Sequence, residues 1–180
     1  MMAHVMNEYD FTLKFSLPDV GTMPEDYVEA LIATGCNDAL IGIGQQGRIG
    51  LNFMREAETA MEAVHSAIKD IKRVIPGARL VEASPDLVGL TDVAEILGFS
   101  RQNMRKIMLG AGTTFPPPVH EGRPSIWHLV KILQWLGASG HYAVDDTLIE
   151  LAKATMELNI VRELDDVDSG VQDELLALIA

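Results

Sequence analysis

Cysteine is almost absent: the sequence holds one, Cys36, in 180 residues. A single thiol can neither close an internal disulfide nor supply a cysteine-rich zinc site, which agrees with a reducing compartment. Cys36 follows Gly35 at a predicted helix end, where a small buried hydrophobe is expected rather than a nucleophile. Long apolar runs are missing as well, and nothing approaches the roughly 20 residues that a membrane-spanning helix needs. The N-terminus MMAHVMNEYD lacks the basic, then apolar, layout of a signal peptide, so a cytoplasmic protein is expected. Positive charge is scarce. Lys and Arg number 14 against 26 Asp and Glu, a net charge of −12 that by itself argues against nucleic acid.

Patterns of catalysis and metal binding are also wanting. His4, His65, His120, His128 and His141 show no H-x-x-x-H spacing, and His120 with His128 reads as part of a hairpin rather than a zinc site. Asp166, Asp168 and Gly170 partly match a calcium loop, but the glycine is misplaced and no Glu closes it. No nucleophile is paired with a base, so no enzyme is expected, and no cofactor.

What is present is a globular composition, 48% hydrophobic and 22% charged, long enough for one large domain or two small ones. The charge is uneven. Residues 1–85 carry 7 basic and 12 acidic side chains, residues 86–142 carry 5 and 4, and residues 143–180 carry 2 and 10, giving −5, +1 and −8. Only the middle piece is not acidic, which divides the chain in three.

In the first piece, YDFTLKFSL alternates Tyr9, Phe11, Leu13, Phe15 and Leu17 with polar residues, the pattern of a half-buried strand. Thr22, Pro24 and Glu25 form a capping-box pattern, predicting a helix that runs to Thr34 and stops at Gly35. ALIGI and RIGLNF read as two strands joined by a glycine-rich turn. Met61, Val64, Ile68, Ile71 and Ile75 mark a helix ended by Pro76-Gly77, and ARLVEA is a last strand. The order β-α-β-β-α-β over residues 7–84 resembles the ferredoxin-like split βαβ arrangement. Gly42, Gly44 and Gly47 match the G-x-G-x-x-G dinucleotide fingerprint letter for letter. That fingerprint works through a helix N-terminus placed after the glycines, and here a strand pattern follows, so a tight hairpin is expected and no cofactor.

The middle piece, residues 86–142, contains LTDVAEILGFSRQNMRKIM. Thr91 is placed to cap a helix carrying Val93, Ala94, Ile96 and Leu97, which Gly98 ends; Ser100 caps a second helix two residues on. Val93, Leu97, Phe99, Met104 and Ile107 fall on the seam of a helix-turn-helix, with Ala94 as the small residue at the crossing. Arg101, Gln102, Arg105 and Lys106 fall on the outer face of the second helix. FPPPVHEGRPSIW then reads as a hairpin turning at residues 121–124, and HLVKILQWL as a helix buried through Leu129, Ile132, Leu133 and Leu136.

On these residues the segment from about Leu87 to Leu136 resembles the excisionase and AlpA-like regulators, which share a MerR-type winged helix-turn-helix. The resemblance implies that the second helix enters the major groove of double-stranded DNA and that the wing touches its backbone or minor groove. The DNA contacts expected are Ser100, Arg101, Gln102, Asn103, Arg105 and Lys106 on the helix, and His120, Arg123 and Ser125 on the wing. Bidentate pairing geometry favours Arg101, Gln102 and Arg105 as base readers, leaving Lys106 and Arg123 to hold phosphate. The wing carries Glu121 beside its few cations, so binding is expected to need a homodimer.

In the last piece, residues 143–180, the apolar residues Leu148, Ile149, Leu151, Ala152, Met156, Leu158, Ile160, Val161 and Leu164 cover more than one helix face. Val171, Leu175, Leu178 and Ile179 form another stripe. Either a helical pair folded back on its own subunit or a dimer interface fits. The expected protein is an α+β, sequence-specific DNA-binding transcriptional regulator. The alternatives are a mobile-element directionality or architectural factor, and a protein-interaction module that never touches DNA.

Overall fold

Alternating apolar residues build the first strand. In the computed structural model, which describes residues 6–19, 21–140 and 142–179, β1 (Asn7–Ser16) buries Tyr9, Phe11, Leu13 and Phe15 on one face. With β2 (Ala39–Gly42), β3 (Arg48–Ala57) and β4 (Arg79–Ser84) it forms an antiparallel sheet in the order β2-β3-β1-β4. Phe11 lies opposite Phe53 with the rings stacked 5.2 Å apart, and Leu13 lies opposite Leu51. α1 (Val28–Thr34) and α2 (Ala60–Val74) pack Leu31, Val64, Ala67 and Ile71 onto these side chains to make the first core.

The start of the first helix differs from expectation. Thr22 caps no helix; Met23 takes that position without a side-chain bond, and Pro24–Tyr27 winds as a 3₁₀ turn before α1 begins. The Thr22 backbone is already committed to the loops, donating to the Asp19 carbonyl and accepting from the Gly47 N–H at 3.1 and 3.3 Å. The glycine-rich turn is the expected hairpin: Gly42 ends β2, and Gly44 and Gly47 carry the chain into β3, so no helix N-terminus follows the glycines.

After β4 the chain forms a short strand, β5 (Leu87–Val88), then α3 (Leu90–Ile96) and α4 (Arg101–Ala111). β6 (Trp127–His128) pairs with β5 and runs into α5 (Leu129–Ala138). Val93, Ala94, Met104, Phe115, Trp127, Leu129, Ile132, Leu133 and Leu136 form the second core. α3 starts before the expected cap. Gly89 takes the cap position and the Asp92 carboxylate accepts its N–H at 2.7 Å, so Thr91 is left exposed.

α6 (Asp146–Leu164) explains why its apolar residues surround the helix. Leu151 and Ala154 complete the first core, while Ala152, flanked by Leu148, Ile149 and Met156, completes the second. The Glu150 carboxylate accepts from the Tyr9 hydroxyl at 2.8 Å and from the Ala60 N–H, at the start of α2, at 3.1 Å. A fragment of residues 7–84 would lack part of its own core, and a deletion from residue 144 would open both. α7 (Ser169–Ile179) buries none of its residues. Asp168 sits at its start, its carboxylate accepting the Gly170 N–H at 2.7 Å, which accounts for the Asp-x-Gly spacing without a cation.

Candidate nucleic-acid interface

α3 and α4 meet at a tight turn. Gly98 adopts φ +67°, a left-handed conformation that L side chains rarely take, and the Phe99 N–H returns to the Ala94 carbonyl at 2.7 Å. Ser100 then caps α4, its hydroxyl accepting from the Asn103 N–H at 3.1 Å. Ser100 is thus occupied at the helix start. Met104 is fully buried and Ile107 and Met108 partly so, which fixes the rotation of α4.

That rotation leaves Arg101, Gln102, Asn103, Arg105 and Lys106 exposed, and they do not all look the same way. Gln102, Arg105 and Lys106, at spacings of three and four, share the face opposite Met104. Arg101 turns toward the loop at 115–127 and lines a groove of about 730 Å³ with Met108, Phe115, Glu121, Pro124 and Trp127. Asn103 turns the other way, lining a smaller cavity with Lys106, Trp135 and Tyr142. Among the described residues, Arg101, Arg105, Lys106 and Arg123 make no ion pair. In a chain of net charge −12, this is an unneutralised cationic face.

The loop between α4 and β6 is a narrow hairpin closed at His120 and Ile126. The Ile126 N–H donates to the His120 carbonyl at 3.0 Å and the Val119 N–H to the Ile126 carbonyl at 2.8 Å. At its tip Ser125 donates its hydroxyl to the Gly122 carbonyl at 3.2 Å, and a Cβ on Gly122 would collide with the His120 imidazole. His120 and Arg123 are exposed; Ser125 is half-buried and holds the turn. The hairpin is anchored by Trp127, whose indole N–H donates to the Pro116 carbonyl at 3.0 Å and whose ring meets Phe115 edge-on.

His128 does not belong to this hairpin. Its Nδ1 lies 2.7 Å from the Asp86 carboxylate, which is 1% exposed, so it points back toward the β4–β5 connection. Register is the reason: His128 pairs with Leu87, not with a residue of the hairpin. His4 and His141 lie outside the described residues. Among the described residues no three His, Cys, Asp or Glu side chains gather where they could hold a metal ion, and no helix is long and apolar enough to cross a membrane.

Two buried polar centres escaped the sequence reading. Arg55, from β3, spends its guanidinium on Asp38, Asp70, Ser66 and the Gly35 carbonyl. Asn159, from α6, bonds both the N–H and the C=O of Ala83 and the Asp86 carboxylate. Thr155 and Asn159 interrupt an apolar stripe that begins at Leu151, and that interruption was the available signal. Cys36 is wholly buried, and burial pushes its thiol up to about 11. This raised value favours the folded state below the ordinary thiol range near 9, and that contribution is lost as pH rises through about 11. At pH 8 Cys36 should therefore resist a disulfide reagent until urea unfolds the protein; rapid modification of the native chain would contradict its burial.

Compared with protein-family models, curated proteins and solved structures, the chain finds no match in any of the three.

Proposed function

We propose that the chain is a sequence-specific DNA-binding transcriptional regulator, with α4 as recognition helix and the hairpin at 119–126 as wing. The observation that carries the reading is the exposed, unpaired cationic and amide face of α4 in an otherwise acidic protein. The two-helix turn, hairpin and α5 support a winged helix-turn-helix, and the sheet order β2-β3-β1-β4 supports a ferredoxin-like N-terminal half. Gln102 and Arg105 on the outer face, and Arg101 at the groove, read base edges; Lys106 and Arg123 hold phosphate. The middle piece has only five Lys and Arg, so one copy neutralises few phosphates, and two copies on paired half-sites supply the remainder.

Arg105→Ala should cost about 1–3 kcal/mol at one base position and relax preference there. Lys106→Ala should weaken all sites alike and flatten the salt slope by about 1.8, about 0.9 for each copy bound. Fluorescence anisotropy at several salt concentrations separates the two, and an Arg105→Ala protein with unchanged affinity and preference would remove α4 from the interface. A second reading, a protein-interaction module, draws on α7, where Leu178 and Ile179 are 75% and 80% exposed amid acidic residues. Capture of a protein by a chain that enriches no DNA motif would favour it.

A further inference from the structure

Leu109 is 62% exposed, though it stands within the polar face of α4. Gln102, Arg105, Lys106 and Leu109 follow at i, i+3, i+4 and i+7, so the leucine lies one turn beyond Arg105 on the same outer surface. It joins neither core. Among the exposed residues of α4 it is the one large apolar side chain. Beside it Gly110 is exposed, and a Cβ added to it would meet nothing within 4 Å. Glycine weakens a helix interior relative to alanine, and the packing within this chain does not require it. A bare backbone beside an exposed leucine suits close approach by another molecule along the last turns of α4.

We infer that Leu109 is a specificity-determining residue that packs against the 5-methyl group of a thymine, next to the base pair read by Arg105. The inference rests on α4 being the recognition helix. Among base edges in the major groove, the thymine methyl is the apolar feature, and an aliphatic side chain recognises it by contact and exclusion of water. Arg105, one turn before Leu109, would engage the donors and acceptors of the adjoining pair, so the leucine demands a T at one position of each half-site.

The test begins with the site that the full chain enriches from random duplexes. Each thymine in it is replaced in turn by deoxyuridine, which deletes the methyl and leaves every hydrogen-bonding group. Anisotropy titrations at one salt concentration should find a thymine whose replacement weakens binding about three- to fivefold, the worth of one buried methyl group. Leu109→Ala should bind thymine and uracil versions of that site equally while keeping its preference at the Arg105 position. Because Leu109 is exposed and alanine favours helix, the variant should melt like the parent. Indifference of the parent to every uracil replacement, or a Leu109→Ala protein that retains the uracil penalty, overturns the inference while leaving α4 as the recognition helix. Failure to enrich any motif overturns both.

Discussion

Asn159→Leu should destabilise the protein by about 3–5 kcal/mol, the cost of leaving two or three buried polar groups without partners. β4 is an edge of the sheet, and Ala83 turns its N–H and C=O away from β1. Asn159 completes that edge, accepting from Ala83 at 2.9 Å and donating to its carbonyl at 2.7 Å. The same amide donates to Asp86 at 2.8 Å, and Asp86 in turn meets His128. One side chain therefore joins the sheet, α6 and the start of α5. Leucine fits the size of the site but offers no donor or acceptor, so the loss exceeds that of an ordinary exposed hydrogen bond. Urea unfolding followed by circular dichroism and by tryptophan fluorescence measures it. Trp127 and Trp135 both lie in the second half, so their signal shows whether the damage reaches beyond the sheet. A change below about 1 kcal/mol would show that water satisfies Ala83 and Asp86 without Asn159.

Arg55→Leu should cost about 2–4 kcal/mol: losing the buried guanidinium takes the partner from Asp38 and the Gly35 carbonyl, while Asp70 keeps Arg73 at 3.2 Å. Arg55 is 7% exposed, and its guanidinium lies 4.8 Å from the Phe53 ring centre. Nε meets Asp38 at 2.7 Å, one terminal nitrogen meets Asp70 at 3.0 Å, and the other meets the Gly35 carbonyl at 2.6 Å. Those bonds fasten the end of α1, the loop before β2 and the middle of α2 to one residue of β3. Despite its buried setting, Arg55 has its pKa raised: the carboxylates of Asp38 and Asp70 outweigh burial, the largest single influence and one that lowers it. Arg55→Lys keeps a charge but cannot reach the same set of acceptors, so it should recover only part of the loss. Equal stability of parent and Arg55→Leu in guanidinium unfolding would mean that the carboxylates are solvated rather than held.

The parts of this fold that were legible in the sequence are those written in short range. Tyr9 to Phe15 alternate, the α2 apolar residues recur every three or four, and Gly98 and Ser100 mark the turn between α3 and α4, all within one strand or two helical turns. Thr22 and Thr91 misled because a capping pattern states only that a side chain could bond. Whether it does depends on where the backbone is already tied, as Thr22 is to Gly47. β5 was unreadable: two residues gain strand geometry only by pairing with Trp127 and His128, some 40 positions away. Asn159 meets Ala83 across 76 positions, a contact that no local periodicity encodes. The exposed cations of α4 were visible as a surface; which of them faces the 119–126 hairpin required the rotation set by Met104.

On the function proposed above, α4 reads DNA sequence. Selecting bound fragments by the full chain from a random duplex library, at a fixed salt concentration, tests it most directly. The expected result is an enriched motif with two half-sites spaced by about one helical turn, roughly 34 Å, or a multiple of it, and loss of one defined base preference in Arg105→Ala. A library that stays random after repeated rounds, or a motif that Arg105→Ala and Gln102→Ala recover unchanged, would contradict it.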